Sequence, residues 1–247
     1  MKAAITFDID WAPDCAIDLA SNLLAERGVK STWFVTHLSP AVERLRARPD
    51  LFELGIHPNF MPGSSHGEDP EQVLRTCMEL VPDAVSVRTH GLLQSGNIFD
   101  FLMALTPVTF DVSLFHPRAL QIDVVKYERF GQTLWRVPYV WEDDYVMESS
   151  PLNVSREPEF SGFSETLARA RGIQVFNFHP IHVLLNSNVM DNYNAMKRNY
   201  SRLADITPAL AAPFIETERS GAKTALVALA EAVSTRGGGS FIREFRG

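Results

Sequence analysis

Residues 3–35 read AAITFDIDWAPDCAIDLASNLLAERGVKSTWFV, and their pattern decides the fold. The apolar run from Ala3 to Phe7 has the length of a buried strand. Asp14 to Arg27 places Ile17, Leu19, Ala20, Leu23 and Leu24 at near-helical spacing, with Gly28 as its stop. Ser31 to Val35 is β-branched and aromatic, a second strand. Strand, helix and strand in so short a stretch predict a parallel βαβ unit.

The same alternation continues. The pattern predicts a helix over Pro40 to Arg48 and a strand over Leu51 to Ile56. Asp69-Pro70-Glu71-Gln72 supplies a cap, a proline at the first helical position and a glutamine three residues after the cap, opening a helix to Leu80 or Val81. Further strands are predicted over Ala84 to Val87, Val108 to Val112, Leu134 to Val140 and Ile173 to Phe178. Helices are predicted over Ile98 to Leu105 and Ser164 to Arg169, and within Asp191 to Leu210 and Thr217 to Ser234. Pro117 to Arg136 reads as irregular, and Gly237-Gly238-Gly239 as a flexible link to a short apolar tail. About seven such units, with no glycine-rich phosphate loop after the first strand, fit a closed or nearly closed α/β barrel better than an open sheet. No linker divides the chain, so residues 1–247 are expected to form a single barrel domain with C-terminal helices.

With 45% hydrophobic and 21% charged residues, the 247-residue chain is no disordered tail, coiled coil or collagen-like rod. A net charge of -7 argues against a nucleic-acid partner, whose phosphates need a basic face. Cys15 and Cys77 both fall in helical patterns, which suggests packing residues instead of a disulfide or a cysteine metal site. Asp8 cuts the first apolar run short of a signal peptide, and no stretch approaches the ~20 apolar residues of a membrane span. The expected address is the cytoplasm, with no transmembrane segment.

In such barrels, chemistry gathers at the C-terminal strand ends. Those ends carry Asp8 and Asp10, His37, His57, Arg88 and His90, Asp111, Trp141 to Asp144, and His179 with His182. Polar groups from many strands predict one shared site. Asp8 and Asp10, two apart in an extended segment, point to the same side, where their repulsion invites a cation. His57 follows its strand, and the loop beyond Pro58 carries His66. A carboxylate with two imidazoles makes a three-ligand site that leaves one position open for water. The plainer alternatives are that Asp10 caps the next helix and that each histidine serves its own loop; His37 and His116 read as structural.

These residues resemble the polysaccharide deacetylase family, which includes the chitooligosaccharide deacetylases. Thr6-Phe7-Asp8 matches its first motif, with the second carboxylate displaced to Asp10. Glu53 to His57 matches the start of the second motif, but Met61 stands where the next histidine belongs, leaving His66 for that role. Arg88-Thr89-His90 resembles the third motif with His replacing Pro, Arg136 to Asp144 loosely resembles the fourth, and Phe178-His179 the fifth. The whole pattern is similar to a divergent branch, the deacetylase-like proteins of bacterial O-antigen and surface-polysaccharide biosynthesis.

The resemblance implies a distorted (β/α) barrel with seven strands and a divalent metal held by Asp10, His57 and His66. Zinc is favoured, although cobalt, nickel, manganese or iron suits the same ligands. Asp8 would be the general base and His179 the general acid. Arg88 with Asp143 or Asp144 would fix the His179 imidazole, Trp141 would stack on a sugar, and His90, Glu142 and His182 would bind substrate or support the residues that do. The implied substrate is a small-molecule or carrier-linked N-acetyl sugar. Hydrolysis of another carbon–nitrogen bond, such as N-deformylation, and a non-catalytic carbohydrate-binding relative are the alternatives.

Overall fold

A computed structural model of the protein describes residues 2–147 and 160–246. Its first strand, β1 (Lys2–Asp8), is buried from Ala3 onward, as a strand covered on both faces must be. Its side chains divide between two cores. Ala3, Ile5 and Phe7 pack outward among the helices, whereas Ala4 joins an inner core with Phe34, Phe110, Val112, Tyr139 and Val175.

The chain continues as α1 (Asp14–Ala25), β2 (Ser31–Val35), α2 (Pro40–Arg46), β3 (Phe52–Ile56), α3 (Pro70–Leu80), β4 (Ser86–Val87), α4 (Gly96–Leu105) and β5 (Phe110–Asp111). Successive strands from β1 to β5 pair in parallel. At the start of α3 the Gln72 side chain reaches back to the Glu68 N–H at 3.2 Å, while the Asp69 carboxylate accepts the Gln72 N–H at 2.9 Å as expected. Ser39 and Ser95 cap α2 and α4 in the same way.

The remaining elements are β6 (Gln121–Ile122), β7 (Val125–Arg129), β8 (Gln132–Arg136), β9 (Trp141–Glu142), α5 (Asp143–Met147), α6 (Phe163–Arg169) and β10 (Arg171–Phe178). They are followed by α7 (Pro180–Leu185), α8 (Met190–Asn199), α9 (Pro208–Ala211) and α10 (Ala222–Ser234). Strand β10 pairs with β1 in parallel. Residues 132–142 then bridge the gap between β5 and β10. Trp135 and Arg136 pair with β5, and Trp141 and Glu142 pair with β10. Between them Tyr139 N–H donates to Leu114 O at 3.0 Å and Val140 N–H to Val175 O at 2.9 Å. The mostly parallel sheet is thereby curled into a distorted (β/α) barrel. Among the described residues, no helix is long and apolar enough to cross a membrane.

Two sequence expectations need correction, and one helix carries no sequence signal. The region from Pro117 to Arg136 is not irregular: β7 and β8 form an antiparallel hairpin turned by Phe130 and Gly131, both at positive φ. A phenylalanine in that conformation hides the usual turn signature. The segment over Gly237 to Gly239 is not a flexible link. Lys30 N–H donates to Gly238 O at 2.8 Å and Ser240 N–H to Ala3 O at 2.9 Å, and the positive φ of all three glycines directs the tail under the barrel. Helix α7 was absent from the sequence pattern because all six of its residues are buried, leaving no polar face to read.

The tail plugs the end of the barrel opposite the strand C-termini. Ile242 and Phe245 enter the inner core. Ile242 N–H donates to Thr32 Oγ1 at 3.1 Å, and Arg243 N–H to Glu53 Oε2 at 3.2 Å. Ser86 Oγ donates to the other Glu53 oxygen at 3.0 Å. Above Glu53, Gly55 leaves room for the neighbouring strand, since a Cβ there would lie 2.8 Å from the Ser86 carbonyl oxygen.

Burial pushes the Glu53 carboxyl up to about 7, more than the Arg243 and Ser86 hydrogen bonds can offset. Between the ordinary glutamate range and that value, the folded chain holds a proton that the unfolded chain releases. The associated stability is complete at low pH and lost as pH rises through about 7. Urea unfolding of wild type and Glu53→Gln should therefore diverge with pH. The variant is expected to gain roughly 1–3 kcal/mol over wild type between about pH 5 and pH 8. A difference that stays constant over that interval would contradict the buried titration.

Candidate active site

The site begins with a charge inside the barrel. Arg88 follows β4, and its side chain is fully buried between the rings of Phe34 and Tyr139, 4.8 and 4.4 Å from their centroids. Its Nε donates to Val112 O at 3.0 Å, and its Nη1 to Thr6 Oγ1 and Asp8 Oδ1, each at 3.0 Å, and to Asn177 Oδ1. Asn177 Nδ2 donates to the other Asp8 oxygen at 2.9 Å. Burial alone would raise the Asp8 carboxyl, but Arg88 and the imidazoles of His57 and His179 outweigh it and hold Asp8 below the usual carboxylate range. Asp8 is thus an ionised carboxylate, fixed at both oxygens, at the floor of the site.

Beyond Asp8 the chain is no longer extended. Ile9 is buried, and Asp10 and Trp11 take φ values of 45° and 55°. Two successive left-handed residues, one of them bulky, carry strain of roughly 1–3 kcal/mol each. This turn swings the Asp10 carboxylate back over the barrel. Asp10 therefore reaches the same pocket as Asp8 through a reversal, not through the strand alternation that the sequence suggests.

Asp10 Oδ1 lies 3.1 Å from His57 Nε2 and 3.1 Å from His90 Nδ1, and the two imidazole nitrogens are 3.3 Å apart. Ligand atoms about 2.0–2.1 Å from a tetrahedral zinc would be separated by about 3.3 Å, so these three atoms match three corners of such a site. The donor set fits in a second respect. His57 Nδ1 is buried without a hydrogen-bond partner and faces Asp8 Oδ1 at 3.7 Å. A proton at Nδ1 directs the Nε2 lone pair into the triangle, the tautomer a metal requires.

His179 forms the other flank. Its backbone N–H and its Nδ1 both meet the buried Asp143 carboxylate, at 2.9 and 2.7 Å. Burial disfavours the imidazolium, but Asp144, Asp143 and Asp10 more than compensate, and its pKa lies well above the ordinary histidine value. His179 Nε2 faces the site, 4.0 Å from Asp8 Oδ2 and 3.7 Å from Asp10 Oδ2. Glu142 accepts from Asn177 Nδ2 at 2.9 Å and from the Tyr139 hydroxyl at 3.2 Å; burial, reinforced by Asp144, raises its carboxyl to about 8. His182 sits behind His179, its pKa lowered to about 4 by burial, with Nδ1 3.2 Å from Ser187 Oγ.

The structure thus brings together Asp8, Asp10, His57, Arg88, His90, Glu142, Asp143 and His179. It does not bring His66 into the triangle. His66 Nε2 is 2.8 Å from Thr36 O, and Nδ1 accepts the Asn59 N–H at 3.2 Å, so no lone pair remains for a metal. His90, from the next strand end, occupies the predicted position of His66. Among the described residues, Arg88 pairs with Asp8 and not with Asp143 or Asp144, and it is Asp143 that hydrogen-bonds the His179 ring. Trp141 is no sugar platform: it is buried against Phe160, Phe163 and Phe178. Asn177 and Tyr139 were not anticipated as site residues. Asn177 had a signal, since it lies two residues before His179 on the same strand face.

The sequence profile of the WbmS-like polysaccharide deacetylase family matches residues 5–197. Among solved structures, WbmS of Bordetella bronchiseptica, assigned as a polysaccharide deacetylase involved in O-antigen biosynthesis, is 32% identical and superposes with a TM-score of 0.72, covering 95% of this chain and 90% of that one. A family 4 acetyl xylan esterase from Clostridium thermocellum, solved with a cobalt ion, is 13% identical with a TM-score of 0.47, covering 98% of this chain and 89% of that one. No curated protein matches the chain.

The buried pair of Arg88 and Asp8 makes a direct prediction. Arg88→Met strands an ionised carboxylate and should destabilise the fold by roughly 3–5 kcal/mol in urea titrations. Adding Asp8→Asn should return a large part of that loss. If the two effects simply add, the charges are not coupled.

Proposed function

The chain belongs to the WbmS-like polysaccharide deacetylase family, and from that premise we propose that it is a metal-dependent hydrolase removing an N-acetyl group from a sugar or sugar precursor in surface-polysaccharide biosynthesis. One observation carries the reading: an ionised carboxylate and a carboxylate-held imidazole flank a three-atom ligand triangle within about one side chain's reach. Asp10, His57 and His90 would hold the cation, and zinc suits a set of one oxygen and two nitrogens. When bound, such a cation polarises a carbonyl oxygen and acidifies water beside it.

The chain's own residues supply the proton transfers. Asp8 accepts the proton of the attacking water at a carboxylate oxygen. Its low pKa keeps it ionised, and Arg88 and Asn177 keep it oriented. The water oxygen forms the new bond to the acyl carbon. His179 enters as imidazolium, with Nδ1–H anchored on Asp143 and Nε2–H directed into the site. Breakage of the carbon–nitrogen bond leaves the electron pair on nitrogen, which takes the Nε2 proton, giving acetate and a free sugar amine. The substrate in this reading is a small or carrier-linked N-acetyl sugar.

Purified protein should contain close to one divalent metal, and Asp10→Ala, His57→Ala and His90→Ala should each deplete it. Undiminished metal in all three variants would refute the ligand assignment. Asp8→Asn should keep the metal and lose about 10²–10⁴-fold in acetate release from N-acetyl sugars, with N-formyl sugars assayed in parallel. Asp143→Asn removes a carboxylate that raises the His179 pKa, so the alkaline limb of the kcat profile should move to lower pH. An unmoved limb would exclude His179 as the acid.

A further inference from the structure

His66, free of the triangle, is placed where it touches both loops that carry ligand candidates. The loop after β1 holds Asp10 and Trp11 in left-handed conformations. Trp11 N–H donates to Thr36 Oγ1 at 3.0 Å, and Thr36, just past β2, receives the His66 Nε2–H on its carbonyl oxygen at 2.8 Å. On its other side, His66 Nδ1 accepts the N–H of Asn59, two residues beyond His57. The Trp11 ring packs against His66 and His90 at once, with centroids 5.5 and 5.6 Å away. Both His66 and Thr36 are buried. From these contacts we infer that His66 and Thr36 are positioning residues, a brace joining the Asp10–Trp11 turn to the His57 loop and so fixing the spacing of the ligand triangle.

The geometry leaves the brace one hydrogen-bond arrangement. His66 must donate from Nε2, because Thr36 O can only accept, and must accept at Nδ1, because the Asn59 N–H can only donate. The neutral tautomer with the proton at Nε2 meets both demands. Burial lowers the His66 pKa and agrees with a neutral ring. Trp11 then has its N–H satisfied while its backbone stays left-handed, and its ring fills the space between the brace and His90. A brace of this type acts on metal affinity through ligand geometry, as the hydrogen-bond partners of metal ligands do elsewhere.

The brace rests on Asp10, His57 and His90 as cation ligands, so the experiment separates the two. The zinc affinity of the metal-stripped protein is measured by competition with a chromophoric chelator, and the melting temperature of the same metal-free samples is recorded. Thr36→Val, which keeps the side-chain shape and removes the hydroxyl, and His66→Phe should each weaken zinc binding about 10- to 100-fold. Thr36→Ser, which restores the hydroxyl, should bind within about threefold of wild type, a margin small beside the 10- to 100-fold loss. Should His66→Phe fail to fold, the Thr36→Val and Thr36→Ser pair decides alone. Wild-type affinity in Thr36→Val, with His57→Ala unable to bind, overturns the brace and leaves the ligand triangle standing. If wild type binds no zinc, or His57→Ala binds as wild type does, the ligand triangle falls and the brace with it.

Discussion

A guanidinium enclosed in an apolar barrel is the constraint around which the upper half of this molecule is arranged. An arginine without water needs acceptors for its donors, and Arg88 finds them for Nε at Val112 O and for Nη1 at Thr6 Oγ1, Asp8 Oδ1 and Asn177 Oδ1, while its Nη2 is buried without a hydrogen-bond partner among the described residues. Those partners lie on β1, beyond β5 and on β10, so a single side chain ties distant strands together across the interior. Phe34 and Tyr139 cover its faces, an arrangement a planar delocalised cation tolerates and an ammonium does not. The pair with Asp8 is not obviously a source of stability, since desolvating both ions costs several kcal/mol that their attraction must offset. Its consequence is orientation: Asp8 stays ionised, with both oxygens aimed.

Closure of the barrel delivers the opposite flank. Residues 132–142 cross from β5 to β10 and end beside Asn177, and the helix that follows starts at Asp143. The chain that seals the sheet thus also sets Glu142 and Asp143 against Asn177 and His179. Environment then separates chemically similar groups. Asp8, next to a guanidinium, is held low; Glu142, buried beside the acidic Asp144 and hydrogen-bonded by the Asn177 amide and the Tyr139 phenol, is raised to about 8. The Asn177 side chain touches both carboxylates through one amide nitrogen, so their spacing is fixed by a single group.

Much of this was legible in the residues. Strand alternation located the barrel, and polar groups at strand ends located Asp8, His57, Arg88, His90 and His179, because both signals depend on local periodicity. What sequence could not resolve was which of two nearby imidazoles meets Asp10. His66 and His90 both follow His57, and spacing along the chain does not report distance across a barrel mouth. The backbone decides: His90 N–H donates to Pro58 O at 3.0 Å, locking the loop after β4 onto the loop after β3, whereas His66 is turned inward onto Thr36. The Asp10 reversal was hidden for a similar reason, as left-handed backbone at Asp10 and Trp11 has no glycine to announce it.

Charge balance supports the proposed reading of the triangle as a cation site. Asp8 is matched by Arg88, and His179 as imidazolium is matched by Asp143. Asp10 is the carboxylate left over among these groups, and His57 and His90 are the groups that face it. If both imidazoles are neutral with lone pairs turned inward, three electron-rich atoms stand within 3.3 Å of one another. Such an arrangement is unfavourable unless a positive charge lies among them. A proton on His90 can supply it, since Asp10 beside that ring raises its pKa above the ordinary histidine value. A divalent ion held by Asp10, His57 and His90 would supply it as well. The left-handed turn at Asp10 acquires its physical reason here: it carries the Asp10 carboxylate to within 3.1 Å of both His57 Nε2 and His90 Nδ1.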